Sequence, residues 1–123
     1  MKLLSFILNL PWILIGLFFS LISLPIEVSF IKNSYAIVLR VKSFWWAFGY
    51  LKNVRAMAIG HVVILGPNIE VGDLEHELIH VEQSERLPLI FPILYYLELM
   101  RNGYEKNKYE IEAYNGADNM YNK

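Results

Sequence analysis

From Leu3 to Leu24 the chain runs for 22 residues without a charged side chain. A helix of that length covers a hydrocarbon core of about 30 Å, so the pattern predicts a transmembrane helix over residues 1–25. A cleaved signal peptide fits less well, because FSLISLP is a poor small-residue cleavage site. A core helix this long would find little in so short a chain to bury it. The few non-apolar positions, Ser5, Asn9, Gly16, Ser20 and Ser23, fall in one stripe at the helical period. Small residues on one face let backbones approach closely in lipid. The stripe therefore predicts packing against a second copy, as a homo-oligomer, or against a later apolar segment. Pro11 should kink the helix by removing the bond to the carbonyl of Ile7.

After Leu24 the period changes, and residues 26–123 read as a separate domain. Ile26, Val28 and Phe30 alternate with Glu27 and Ser29, as in a half-buried strand. Lys32-Asn33-Ser34 supplies a turn, and Ile37, Leu39 and Val41 then oppose Arg40 and Lys42, which predicts a hairpin. The aromatic stretch Phe44, Trp45, Trp46, Phe48 and Tyr50 reads equally as core filling or as an interfacial belt. A third strand is expected over Met57–Leu65, closed by Gly66-Pro67-Asn68. Gly60 within it marks a bulge or a close backbone approach.

Two helices should follow the sheet. Asp73 is placed to N-cap one that Pro88 must end. Residues 87–100 are apolar except for Glu98, too short for a confident span; they predict a core or interfacial helix starting near residue 92. Gly103 breaks the chain before a last helical segment, residues 106–121. The fold class expected is α+β: a small antiparallel sheet with helices, preceded by the membrane helix.

Composition narrows the function. The chain has 123 residues and is 55% hydrophobic, with a net charge of −1. That leaves no basic field for nucleic acid. Cysteine is absent, which excludes disulfides and thiolate metal sites, so any metal must be held by His, Asp or Glu. Lys32, Arg40, Lys42, Lys52 and Arg55 follow the apolar run against Lys2 before it, which predicts a cytoplasmic C-terminal domain.

The chemistry is concentrated in His76-Glu77-Leu78-Ile79-His80. Two histidines four apart project from one helix face, and their nitrogens can reach one zinc ion at about 2.0–2.1 Å. Glu77 lies ~100° round the helix, placed to act as general base toward a water at that ion. A third ligand must come from His61, Glu85, Glu98, Glu105, Glu110, Glu112 or Asp118. In the last helix Glu110 shares a face with Ala113, Ala117 and Met120, whereas Glu112 sits with Lys108, Asn115 and Asn119. The alanine face is the one that can pack inward, which favours Glu110 and keeps Glu112 as the alternative. His61 and Glu112 are also candidates to steady the site.

With these residues the chain resembles the gluzincins, which join HExxH to a Glu on a later helix, often within E-x-x-A-D. Glu110-Ile111-Glu112-Ala113 matches, and Tyr114 replaces the aspartate. The resemblance is nearest to membrane-bound gluzincins of the CAAX prenyl-protease and HtpX-like kind, and to short HExxH-x-x-Q domains, where Gln83 fits. It covers Gly60 to Ala117. It implies a zincin-like domain and a zinc metallopeptidase acting on a peptide or protein substrate near the membrane, with Met57–Leu65 as the substrate-pairing edge strand. It also implies a tyrosine, from Tyr95, Tyr96, Tyr104, Tyr109 or Tyr114, at the developing oxyanion. The competing expectation is a non-catalytic, membrane-anchored interaction protein with a structural or degenerate metal site, which would recruit His61 or Glu112 as a fourth ligand.

Overall fold

A computed structural model of the protein describes residues 2–47 and 54–121, with side chains described through residue 117. Phe48, Tyr50 and Lys52, and the side chains of Asp118, Asn119 and Met120, lie outside it. The element order is α1 (Lys2–Leu8), α2 (Leu10–Ile22), β1 (Pro25–Ile31), β2 (Ala36–Val41), β3 (Ala56–Ile59), β4 (Val62–Leu65), α3 (Asp73–Arg86), α4 (Phe91–Asn102) and α5 (Lys108–Tyr121).

The apolar N-terminal run is not one helix. It breaks at Asn9 into α1 and α2, bent by 70°. Pro11 opens the second helix, where its missing N–H costs nothing. No single helix among the described residues is long and apolar enough to cross a membrane, although the bent pair passes together on length and composition. The small-residue stripe faces the rest of the chain. Ser5 Oγ donates to the carbonyl of Glu85 at 2.9 Å and Asn9 Nδ2 to that of Ser84 at 3.0 Å. Asn9 Oδ1 accepts from Leu89 N at 2.7 Å, while Trp12 Nε1 donates to Leu89 O at 2.7 Å. Leu89 is left-handed (φ 71°), a conformation that branched side chains avoid, and the α1–α2 elbow holds both of its backbone groups.

Four strands form one sheet in the order β1-β2-β4-β3. It is mixed rather than antiparallel: β1–β2 and β3–β4 are antiparallel, but β2 and β4 run parallel. The strand expected over Met57–Leu65 is two strands, because Gly60 (φ 61°) and His61 form a tight reversal between them. A two-residue hairpin loop takes Gly in its first position for that left-handed φ. The backbone also comes close there, since a Cβ on Gly60 would lie 3.2 Å from Ile13 N.

Both faces of the two inner strands, β2 and β4, are covered. Leu39, Val41, Val62 and Ile64 pack with Ile13 of α2, and Ala36, Val38, Val63 and Leu65 pack with Val81 of α3. The N-terminal helices thus share a core with the sheet. Contrary to the half-buried strand expected, β1 is exposed along nearly its whole length. It is an edge strand, and α2 packs more on β3 and β4 than on it. The aromatic stretch divides: Phe44 packs on the core, whereas Trp45 is exposed and donates to Ile22 O at the end of α2.

Candidate metal centre

α3 starts one residue earlier than the sequence suggests. Gly72, left-handed at φ 92°, takes the cap position and Asp73 is already helical. The Asp73 carboxylate is used elsewhere, accepting from Glu70 N at 2.8 Å and from Arg55 Nε and Nη2 at 2.9 Å each. Arg55 therefore ties the edge strand β3 to the start of the site helix.

α5 is brought against α3 by small residues. Ala113 and Ala117 pack on Ile79, and a Cβ on Gly116 would collide with the Ile79 side chain. Its phase is fixed by Asn107, fully buried, whose Oδ1 accepts from Tyr109 N at 2.9 Å as an N-cap. This phase turns Glu110 inward and leaves Glu112 at the surface.

The consequence is convergence of three groups. Glu110 Oε1 lies 2.9 Å from His76 Nε2 and 3.1 Å from His80 Nε2, and the ligand atoms of all three residues fall within 4.8 Å of one another. All three are largely buried. Among the described residues, neither His61 nor Glu112 joins this group, so the cluster has three protein donors. The donor set fits zinc: two imidazoles and one carboxylate, with a coordination position left over. Burial pulls the His80 pKa down, but its bond to Glu110 and the nearby Glu77 charge carry it above the ordinary histidine value. Burial likewise pushes Glu110 up, and the bonds from His76, His80 and Tyr95 outweigh it and hold the carboxyl well below the usual range.

Further polar contacts fix the ligands. His80 Nδ1 donates to Gln83 Oε1 at 2.7 Å, which leaves Nε2 to face the centre. Gln83 is fully buried and donates in turn to Tyr109 O at 3.0 Å and to Glu112 Oε1 at 2.6 Å. Arg86 closes the chain on Glu112 at 2.6 Å. Gln83 and Glu112 thus steady His80, while His61 does not contribute. It is buried behind Phe6, with Nδ1 2.9 Å from Tyr35 O. Tyr95, one of five tyrosines considered for an oxyanion, instead donates its hydroxyl to Glu110 Oε2. The ring of Tyr114 packs on His76 at 4.3 Å between centroids, and His76 Nδ1 has no partner.

Glu77 is buried, and its Oε2 makes no hydrogen bond. Burial pushes its pKa up to about 7, against the opposing pull of His80 and His76. A cleft of about 430 Å³ opens beside His76 and Glu77, walled by Arg55, Asp73, Tyr104 and Tyr114. The two tyrosine hydroxyls are 2.8 Å apart. Partial burial and that bond push the Tyr104 phenol above its ordinary value. The edge strand bordering the cleft is β3 alone, since β4 lies inside the sheet. Arg55, Tyr95 and Asn107 were not assigned these roles by sequence reasoning. An Asn just before a helix is a recognisable capping signal, whereas the other two are placed by tertiary packing.

No protein-family model, curated protein or solved structure matches this chain.

Proposed function

We propose that the protein is a zinc-dependent hydrolase, and within that class a metallopeptidase of gluzincin type. The observation carrying this reading is the convergence of His76, His80 and Glu110 on one point, with the unpartnered carboxylate of Glu77 beside it at a cleft. His76 Nε2, His80 Nε2 and Glu110 Oε1 would hold the ion. Zinc bound there supplies Lewis acidity, polarising a carbonyl and acidifying a water.

The remaining work belongs to the chain. Glu77, beside those ligands, would accept a proton from the attacking water and could return it to the leaving amine within one turnover. Gln83 holds the His80 ring in one tautomer and orientation. β3 offers a sheet edge beside the cleft, along which an extended peptide can pair through its backbone. Tyr104 and Tyr114 present hydroxyl donors on the cleft wall.

The test is Glu77→Gln in the zinc-loaded protein, assayed on a peptide library. Hydrolysis should fall at least ~100-fold while one zinc per chain is retained. Unchanged hydrolysis sinks the mechanism. Retained zinc with no hydrolysis by the parent protein favours the non-catalytic reading.

A further inference from the structure

We infer that α1, α2 and the edge strand β1 together form one membrane-docking face, which sits in a single leaflet of an anionic bilayer rather than crossing it. This goes beyond the hydrolase reading and does not depend on it.

The face begins with the packing of the N-terminal helices. Their polar stripe is buried, and Ile13 belongs to the core of the sheet. After Lys2 at the start of α1, the opposite sides carry only apolar residues to the outside. Beside them the β1 row lies on the same side of the sheet: Val28 pairs with Leu39 and Phe30 with Ile37, and cross-strand partners share a face. Leu39 and Ile37 belong to the same apolar cluster as Ile13 of α2. Phe6 of α1 and Phe30 of β1 both pack edge-on to Tyr35, at 6.1 and 6.0 Å, so helix and strand adjoin. Leu14, Phe18, Leu21, Ile26, Val28 and Phe30 are each more than half exposed. An apolar surface of this extent on a monomer marks a membrane or protein contact.

Charge selects the membrane. Residues 1–47 hold four cations, Lys2, Lys32, Arg40 and Lys42, against one acid, Glu27. The rest of the chain, which carries the metal centre, holds seven cations and eleven acids. Lys32 and Lys42 are exposed at opposite ends of the β1–β2 hairpin, whereas Lys2 lies 3.9 Å from Glu85 and Arg40 3.9 Å from Glu27, so the two lysines of the hairpin carry the selection. Trp45 lies exposed at the end of α2, with its indole N–H bonded to the chain. A cationic rim with tryptophan around an apolar face is complementary to anionic headgroups over acyl chains.

Length and packing set the depth. α2 has 13 residues, about 20 Å of helix, against a hydrocarbon core of about 30 Å. Straightening α1 and α2 into a span would strip Ile13 from the core and break the bonds of Ser5 and Asn9 to the end of α3. Shallow insertion of the outer face leaves all of these contacts in place.

The chain has no cysteine, so single cysteines report position cleanly. Leu14→Cys, Phe18→Cys, Val28→Cys and, as control, Asn115→Cys on α5 would each carry an environment-sensitive fluorophore on the full chain. They are mixed with phosphatidylcholine–phosphatidylglycerol vesicles. Blue-shifted emission is expected at the first three positions and not at Asn115. Insertion at Leu14 and Phe18 without Val28 would overturn the one-leaflet face in favour of a span. No shift, with a concentration-dependent dimer in its place, would assign the face to a second copy. Lys32→Gln and Lys42→Gln should each weaken binding to these vesicles about fivefold. Equal binding of the parent to phosphatidylcholine alone would refute the charge selection.

Discussion

Replacing Glu77 by glutamine should stabilise the metal-free protein at neutral and alkaline pH and leave it nearly unchanged in acid. The acid is buried beside two histidines and a second carboxylate, and its Oε2 finds no donor. Its pKa rises from 4.5 to about 7 on folding, with burial as the largest cause. Between those values the folded state holds a proton that the unfolded chain has released, so stability falls as pH rises through the window. At ~1.4 kcal/mol per tenfold change in proton affinity, the loss above pH 7 comes to about 3 kcal/mol. Glutamine carries no charge to desolvate and escapes that loss. His80 and Glu110 titrate as well, so the informative quantity is the difference between variant and parent. Urea unfolding in chelator at pH 4, 6 and 8 measures it. The difference should be near zero at pH 4 and reach about 3 kcal/mol in favour of the variant at pH 8. A pH-independent difference would refute the claim that burial raises the proton affinity of Glu77.

The fixed orientation of His80 makes Gln83 the next test. Gln83→Ala should weaken zinc affinity about 10–100-fold, read by competition with a chromophoric chelator, because His80 Nδ1 loses its acceptor. Gly16 is where α2 approaches the sheet, and a Cβ there would lie 2.8 Å from Val62 Cβ and 3.2 Å from Ile59 O. Gly16→Ala should therefore cost about 1–3 kcal/mol in denaturant unfolding while zinc stoichiometry stays the same.

What the sequence disclosed was local. The HExxH spacing needs only a helix to bring His76 and His80 to one face, and the 14-residue α3 supplies it. The inward phase of Glu110 followed from Ala113 and Ala117, and packing of α5 on α3 bears that out. What escaped was set by long-range contacts. Pro11 announced a bend, and one of 70° lies beside it, but the run still reads as a span because hydropathy does not register the partners waiting for Ser5 and Asn9 about 75 to 80 residues away. The alternation of β1 predicts a buried side, but only the sheet order shows that no helix covers it. The parallel pairing of β2 with β4 has no local signature. Asp73 has the chemistry of a cap, yet Arg55, distant in sequence, takes its carboxylate.

The central claim is that His76, His80 and Glu110 are assembled to hold one metal ion. Inductively coupled plasma mass spectrometry on purified protein, after zinc loading and gel filtration, tests it most directly when the parent is measured beside Glu110→Ala and Glu112→Ala. The account predicts one zinc per chain in the parent, one in Glu112→Ala, and loss of stoichiometric zinc in Glu110→Ala. Parent protein without zinc, or Glu110→Ala retaining a full equivalent, would contradict it.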